Sequence, residues 1–277
     1  MQGCRAGFIK GYQGVQLYYK FWHIPNSQAR IIFLHGLGEY SGKYVHFAEW
    51  FVNNKIEVFF YDLRGHGRSD GPRCHVEDFN NYALDLDIFI RFIDENQGYK
   101  KTFLVSHSIG GLITLFYCIN FPYRLQGIVA CSPCLGLKLK IESVKTWAVY
   151  ICYPILKNKS FSNNIKYPMV THDSDMIEKF KKDPLIRHTI TANLYIQMIK
   201  TIKYVRSQAS AIRVPLLILQ AGNDKICDAK MAEYFYKNAA SQDKEFKLYK
   251  SFYHEILNEV EREDVFKDIY DWIKIRC

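Results

Sequence analysis

The segment FLVSHSIGGL, residues 103–112, decides how the chain is read. An apolar run ends in a turn of small residues, and a second apolar run follows at once. That is the pattern of a buried strand passing sharply into a buried helix. A serine presented on such a turn is normally written G-x-S-x-G, and here Ser106 occupies the first glycine position. Two serines therefore compete for the apex. The turn presses strand and helix together, so the positions two before and two after the apex must be small. With Ser106 at the apex these are Leu104 and Ser108; with Ser108 they are Ser106 and Gly110. Leucine does not fit, which selects Ser108. The run 102–123 contains no Asp, Glu, Lys or Arg and is long enough to span a bilayer. Its serines, His107, paired glycines, Asn120 and Pro122 instead suit a strand, a turn and a helix.

Outward from this turn, apolar or β-branched runs recur: RIIFLH (30–35), IEVFFYD (56–62), TFLVS (102–106), GIVACS (127–132), VPLLILQ (214–220) and FKLYK (246–250). Continuous runs of this kind suit strands buried on both faces. Helical patterns lie between them at 44–54, 76–96, 108–120, 228–240 and 262–275. The alternation predicts an α/β fold with a mostly parallel central sheet flanked by helices. AGFIKG and VQLYYKFW, joined by YQG, predict an antiparallel hairpin at one edge. No clear strand is visible between GIVACS and VPLLILQ, where 143–158 and 183–205 are helical in character. We read an inserted helical cap over 136–210, with the core divided into 1–135 and 211–277.

Ligands of parallel α/β sheets bind beyond the carboxyl ends of the strands. Glycine-rich turns follow the first two runs, HGLGEYSG and LRGHGRSDG. A serine nucleophile needs a base, and the base needs an orienting acid. The run VPLLILQ leads to AGNDKICD, offering Asp224 and, less well placed, Asp228; the last run leads to SFYHEIL, offering His254. Ser108, Asp224 and His254 thus follow three strands in that order.

With IIFLHGLGEYSGKY, YDLRGHGRSDGP, DPL and ILQAGNDKICDAK quoted beside FLVSHSIGGL, the chain resembles α/β-hydrolase-fold serine hydrolases of the monoacylglycerol lipase and lysophospholipase group. The resemblance covers most of the chain beyond residue 30 and is weakest over 136–180. It implies the α/β-hydrolase fold, Ser108 as nucleophile, Asp224 as acid and His254 as base, and an oxyanion hole made by the backbone N–H groups of Leu37 and Ile109. It implies a lipid-ester substrate, monoacylglycerol or lysophospholipid, and neither cofactor nor metal. The departure from the group's pattern is Ser106 in place of glycine. Serine at the apex separates the chain from dehalogenases and epoxide hydrolases, which carry Asp there, and from cysteine hydrolases. Other readings are a small-ester carboxylesterase or amidase, and a non-catalytic binding protein on the same fold.

Length and composition agree with one globular domain: 277 residues, 48% hydrophobic and 23% charged. The formal charge of +9 is dispersed, with short dense patches at KFKK (179–182) and KLKIESVK (138–145). No nucleic-acid binding is expected; a solvated basic surface is, with peripheral membrane contact through the apolar cap stretch TWAVYICYPIL as the sharper alternative. Cys131 and Cys134 form a C-x-x-C without a second ligand pair, so buried thiols are expected rather than a zinc site. Reduced cysteines and an N-terminus without an apolar signal core lead us to expect the cytosol. Oligomeric state is not encoded in any feature of the sequence.

Overall fold

The computed structural model describes residues 4–121, 124–139 and 156–277. Ten strands appear in chain order: β1 (Cys4–Lys10), β2 (Gln16–Trp22), β3 (Ala29–Leu34), β4 (Glu57–Tyr61), β5 (Lys101–His107), β6 (Gly127–Cys131), β7 (Ser160–Ser162), β8 (Thr189–Thr191), β9 (Leu216–Ala221) and β10 (Lys244–Tyr249). The α-helices among the described residues are α1 (Val45–Asn53), α2 (Asn80–Gln97), α3 (Ile109–Asn120), α4 (Ser174–Lys182), α5 (Ala192–Ser207), α6 (Ala229–Asn238) and α7 (Arg262–Lys274).

Eight strands form one sheet in the order β1-β2-β4-β3-β5-β6-β9-β10. Strand β2 runs against both of its neighbours, and every other pairing is parallel. The edge hairpin is therefore present where the sequence placed it. Side chains alternate across the pleat, and both faces are buried. Ile31, Phe33, Phe60, Val105 and Leu219 enter one core beneath α1 and α7. Ile32, Leu34, Phe59, Leu104 and Ile218 enter the other, shared with α2, α3, α5 and α6. This is the α/β-hydrolase fold.

The segment between β6 and β9 corrects one expectation. It contains an antiparallel pair, β7 with β8, outside the main sheet. The stretch 183–205 is not one helix. Asp183 closes α4 immediately before Pro184, residues 189–191 form β8, and helix resumes only at Ala192. A residue before proline is pushed out of helical conformation, and strands of three residues are too short for periodicity to reveal. Most of the expected helix 143–158, including nearly all of TWAVYICYPIL, lies outside the described residues.

Two charges sit inside apolar strands near the end of the sheet opposite the Ser108 turn. Arg30 and Glu57 are register partners on β3 and β4, and both are fully buried. Glu57 pairs with Lys100 at 2.9 Å and His23 at 2.6 Å; Arg30 pairs with Asp94 at 3.2 Å and donates to the Gly98 carbonyl. Glu57 also offsets the charge of the buried Arg30 beside it. Glu57→Ala should destabilise the protein by about 1–3 kcal/mol in urea unfolding, with Glu57→Gln costing clearly less. An Ala variant as stable as the parent would contradict this.

Candidate active site

Ser108 lies between the last residue of β5 and the first of α3, with φ 54° and ψ −116°. A non-glycine residue in this region is strained and persists only where the surroundings enforce it. Here the close approach of α3 to β3 enforces it. A Cβ placed on Gly110 would lie 2.5 Å from the Leu34 carbonyl oxygen and 2.6 Å from that of His35. The glycine two after the apex is thus a steric necessity. Ser106, two before, is fully buried on β5, and its hydroxyl donates to the Val129 carbonyl on β6 at 3.2 Å. That acceptor explains how serine replaces the usual glycine.

Ser108, His254 and Asp224 come together although they are far apart in the chain. The Ser108 hydroxyl donates to His254 Nε2 at 3.0 Å, and His254 Nδ1–H donates to Asp224 Oδ2 at 2.7 Å. The carboxylate fixes the tautomer, leaving Nε2 free to accept. The other oxygen of Asp224 accepts from the amides of Ile226 and Cys227, both at 2.8 Å. Asp228 does not pair with His254: it caps α6 by accepting from the Lys230 amide. Burial pushes the Asp224 carboxyl up, but the facing His254 and the two amides outweigh it and hold the group below the usual carboxylate range. Burial pushes His254 down, yet Asp224 outweighs that and the imidazole ends above its ordinary value.

Leu37 and Ile109 border the same cavity as Ser108. Leu37 lies in the turn after β3, and that turn is held from several directions. His35 accepts from the Leu63 amide through Nε2 at 2.9 Å, so its Nδ1–H donates to the Gly36 carbonyl. Burial lowers His35 to about 4, keeping it neutral in that role. Asp62 accepts from the amides of Ser41 and Arg68, binding the first glycine-rich turn to the second. From the segment between β6 and β9, the Arg187 amide donates to the Gly38 carbonyl at 2.7 Å. Gly38 has φ +72°, and a Cβ there would meet Arg187 O at 2.2 Å.

The cavity spans about 450 Å³ only when the open solvent at its mouth is counted, and its walls are mainly apolar: Leu137, Ile165, Ile190, Met198 and Ile226 contribute, with Asn163 a polar side chain among them. Cys134 and Cys227 also border it. Asp224, Cys227 and His254 place one donor atom each within 4.8 Å of the others. Their chemistry suits proton transfer better than a metal: Nδ1 and Oδ2 already bind each other, while the contact with Cys134 and burial keep Cys227 a thiol. Cys131 and Cys134 are buried free thiols, in line with the sequence reading.

Reasoning from the sequence passed over Glu39, Lys43 and Glu255, which lie buried beside the site. The available signal was weak: Glu39 and Lys43 sit four apart in a loop, and Glu255 directly follows His254. His107, unassigned from sequence, is buried with its ring 4.8 Å from that of His254. Burial first, then the proximity of His254, lowers it to about 3, so it stays neutral.

Comparison with known proteins agrees with this architecture. Residues 25–261 match the family described as serine aminopeptidase, S33. The phospholipase YtpA of Bacillus subtilis is 32% identical over 249 residues, which is 89% of this chain and 95% of that protein. Monoglyceride lipase of Homo sapiens is 29% identical, covering 95% of this chain and 88% of its own length. The crystal structure of Paleococcus ferrophilus monoacylglycerol lipase superposes with a TM-score of 0.84 at 27% identity, covering 94% of this chain and 99% of the other. A nucleophile-type turn on a mostly parallel sheet and a family match over most of its length place the chain in the serine aminopeptidase S33 family, among the serine hydrolases of the α/β-hydrolase fold.

Proposed function

We propose that the protein hydrolyses carboxylic esters of single-chain lipids, monoacylglycerol first and lysophospholipid next, through an acyl-enzyme on Ser108. The observation that carries this reading is the hydrogen-bonded chain Ser108–His254–Asp224 opening onto an apolar cavity. His254 takes the hydroxyl proton as the alkoxide attacks the ester carbonyl. Asp224 orients the imidazole and stabilises its protonated form. The backbone N–H groups of Leu37 and Ile109 receive the oxyanion, Ile109 from the first turn of α3, where the helix dipole favours negative charge. His254 then protonates the leaving alcohol, and water repeats the sequence on the acyl-enzyme. Similarity to monoglyceride lipases and a phospholipase supports lipid-ester chemistry in general. The apolar lining supports an acyl chain as the group that enters.

Residues 136–210 form a cap in this reading, with Asn163, Ile165, Ile190 and Met198 lining the same cavity as Ser108. No helix among the described residues is long and apolar enough to cross a membrane. We place the enzyme in the cytosol, meeting its substrate at membrane surfaces through the cap and the dispersed positive charge.

Three outcomes are expected. Ser108→Ala should lower kcat by at least about 10⁴-fold, and Asp224→Asn by about 10⁴-fold with folding intact; turnover by Ser108→Ala at the parent rate would end the proposal. In a series of monoacylglycerols, kcat/KM should climb by up to about fourfold per methylene until the cavity is filled, following about 0.8 kcal/mol per buried CH₂. Equal rates on acetyl and long-chain esters would favour a small-ester carboxylesterase instead. The base must be neutral to act, and its pKa is raised, so kcat/KM should fall as pH drops through a value above 6.5. An acid limb below 6.5 would contradict the assignment of His254.

A further inference from the structure

A cluster of charge is buried behind the catalytic imidazole. Lys43 Nζ donates to Glu39 Oε2 at 2.6 Å and to Glu255 Oε1 at 2.7 Å, and the Phe180 ring of α4 covers the ammonium at 4.0 Å. Each partner reaches a different part of the site. Glu39 Oε1 accepts from the Gly36 amide, next to Leu37, and from the Tyr44 hydroxyl at 2.7 Å. Glu255 directly follows His254; its other carboxylate oxygen accepts from Asn258 Nδ2 at 2.8 Å, and its amide donates to the Val170 carbonyl at 2.8 Å. Gly36 is wedged in: a Cβ there would lie 2.7 Å from Glu39 Oε1 and 3.2 Å from His107 Cδ2. All three charged side chains are buried.

Burying three charges is costly, and well-packed apolar residues often match or exceed the stability of such a group. Stability alone does not account for it. We propose that Glu39, Lys43 and Glu255 act as one positioning unit, which fixes the Gly36–Leu37 turn relative to the His254 loop and holds two carboxylates against one ammonium beside the imidazole. Two carboxylates and one ammonium leave a net negative charge, which favours the imidazolium formed when His254 takes the Ser108 proton. The groups around His254 are Asp224 and Cys227 after β9, His107 at the end of β5 and Ser108 just after it, Glu39 after β3 with Lys43 paired to it, and Glu255 on its own loop. Of these, burial keeps His107 neutral, and Glu39 remains ionised, lowered to about 2: burial raises it, and the surrounding groups, led by Lys43, together outweigh burial.

The proposal rests on His254 as the general base, and the test separates the two. The purified protein and its variants Glu255→Gln, Glu39→Gln, Lys43→Met and Lys43→Arg are compared by kcat/KM against pH on a water-soluble ester. Thermal melting of each checks folding, and an NMR titration of the His254 imidazole reads its pKa without turnover. Each Gln variant should move the acid limb and the NMR titration to lower pH by about half to one unit, since a facing negative charge has gone. Lys43→Met should lower kcat by about tenfold or more with KM within about twofold, and Lys43→Arg should restore most of it. A His254 titration unmoved in both folded Gln variants would overturn the proposal. So would Lys43→Arg as impaired as Lys43→Met. An unmoved titration with normal turnover refutes the positioning unit alone, whereas a shifted titration without ester turnover in the parent refutes only the hydrolase reading.

Discussion

The close contact of α3 with the carboxyl end of β3 is the constraint on which the site depends. Gly110 sits against the Leu34 and His35 carbonyls with no room for a side chain. Seating the helix there forces Ser108 into a left-handed conformation and projects its hydroxyl from the sheet. The same contact brings the first turn of α3 beside the loop after β3. Every later arrangement builds on that approach: the register of β5 between β3 and β6 fixes the height of the serine, and the loops after β9 and β10 bring Asp224 and His254 to it.

Much of this was legible in the residues. The inner strands β3, β4, β5, β6 and β9 announced themselves because both faces are buried, so apolar side chains run almost without interruption; β10, at the edge and largely exposed, showed only a weaker pattern. Ser108, Asp224 and His254 were legible because each follows such a run, where the topology leaves few places for a side chain to go. Register at the elbow was settled by size alone, Leu104 against Ser106. What remained hidden was hidden for physical reasons. Thr189–Thr191 forms a strand of three residues, too short for alternation to register, and its partner Ser160–Ser162 is thirty residues away. Glu39, Lys43 and Glu255 carry charges in loops and a 3-10 turn, where a charged side chain ordinarily faces water. Only the packing of the segments after β3 and β10 against each other turns them inward.

Histidine use follows a similar division. His35, His66 and His107 are buried, and desolvation first of all lowers them to about 4, 3 and 3 respectively. His254, equally enclosed, is the exception because a carboxylate faces it at 2.7 Å. One imidazole near the apex is therefore raised while its buried neighbours are held neutral. Burial sets the background, and the facing Asp224 carboxylate singles out His254 from it.

The bonds between the β6–β9 segment and the core bear on how the molecule comes apart. Arg187 is tied to Gly38, Thr191 to Cys74, Asn193 to Val76, and Glu255 to Val170. His172 and Thr171 are tied to Glu259, and Arg262 to Asp173. These fastenings reach loops after β3, β4 and β10, so the segment is not an appendage joined to the core at its two ends alone. Loosening it removes partners from the turns that frame Ser108. Segment and sheet accordingly belong to one cooperative unit, in which heat or denaturant dismantles the pocket together with the scaffold beneath it.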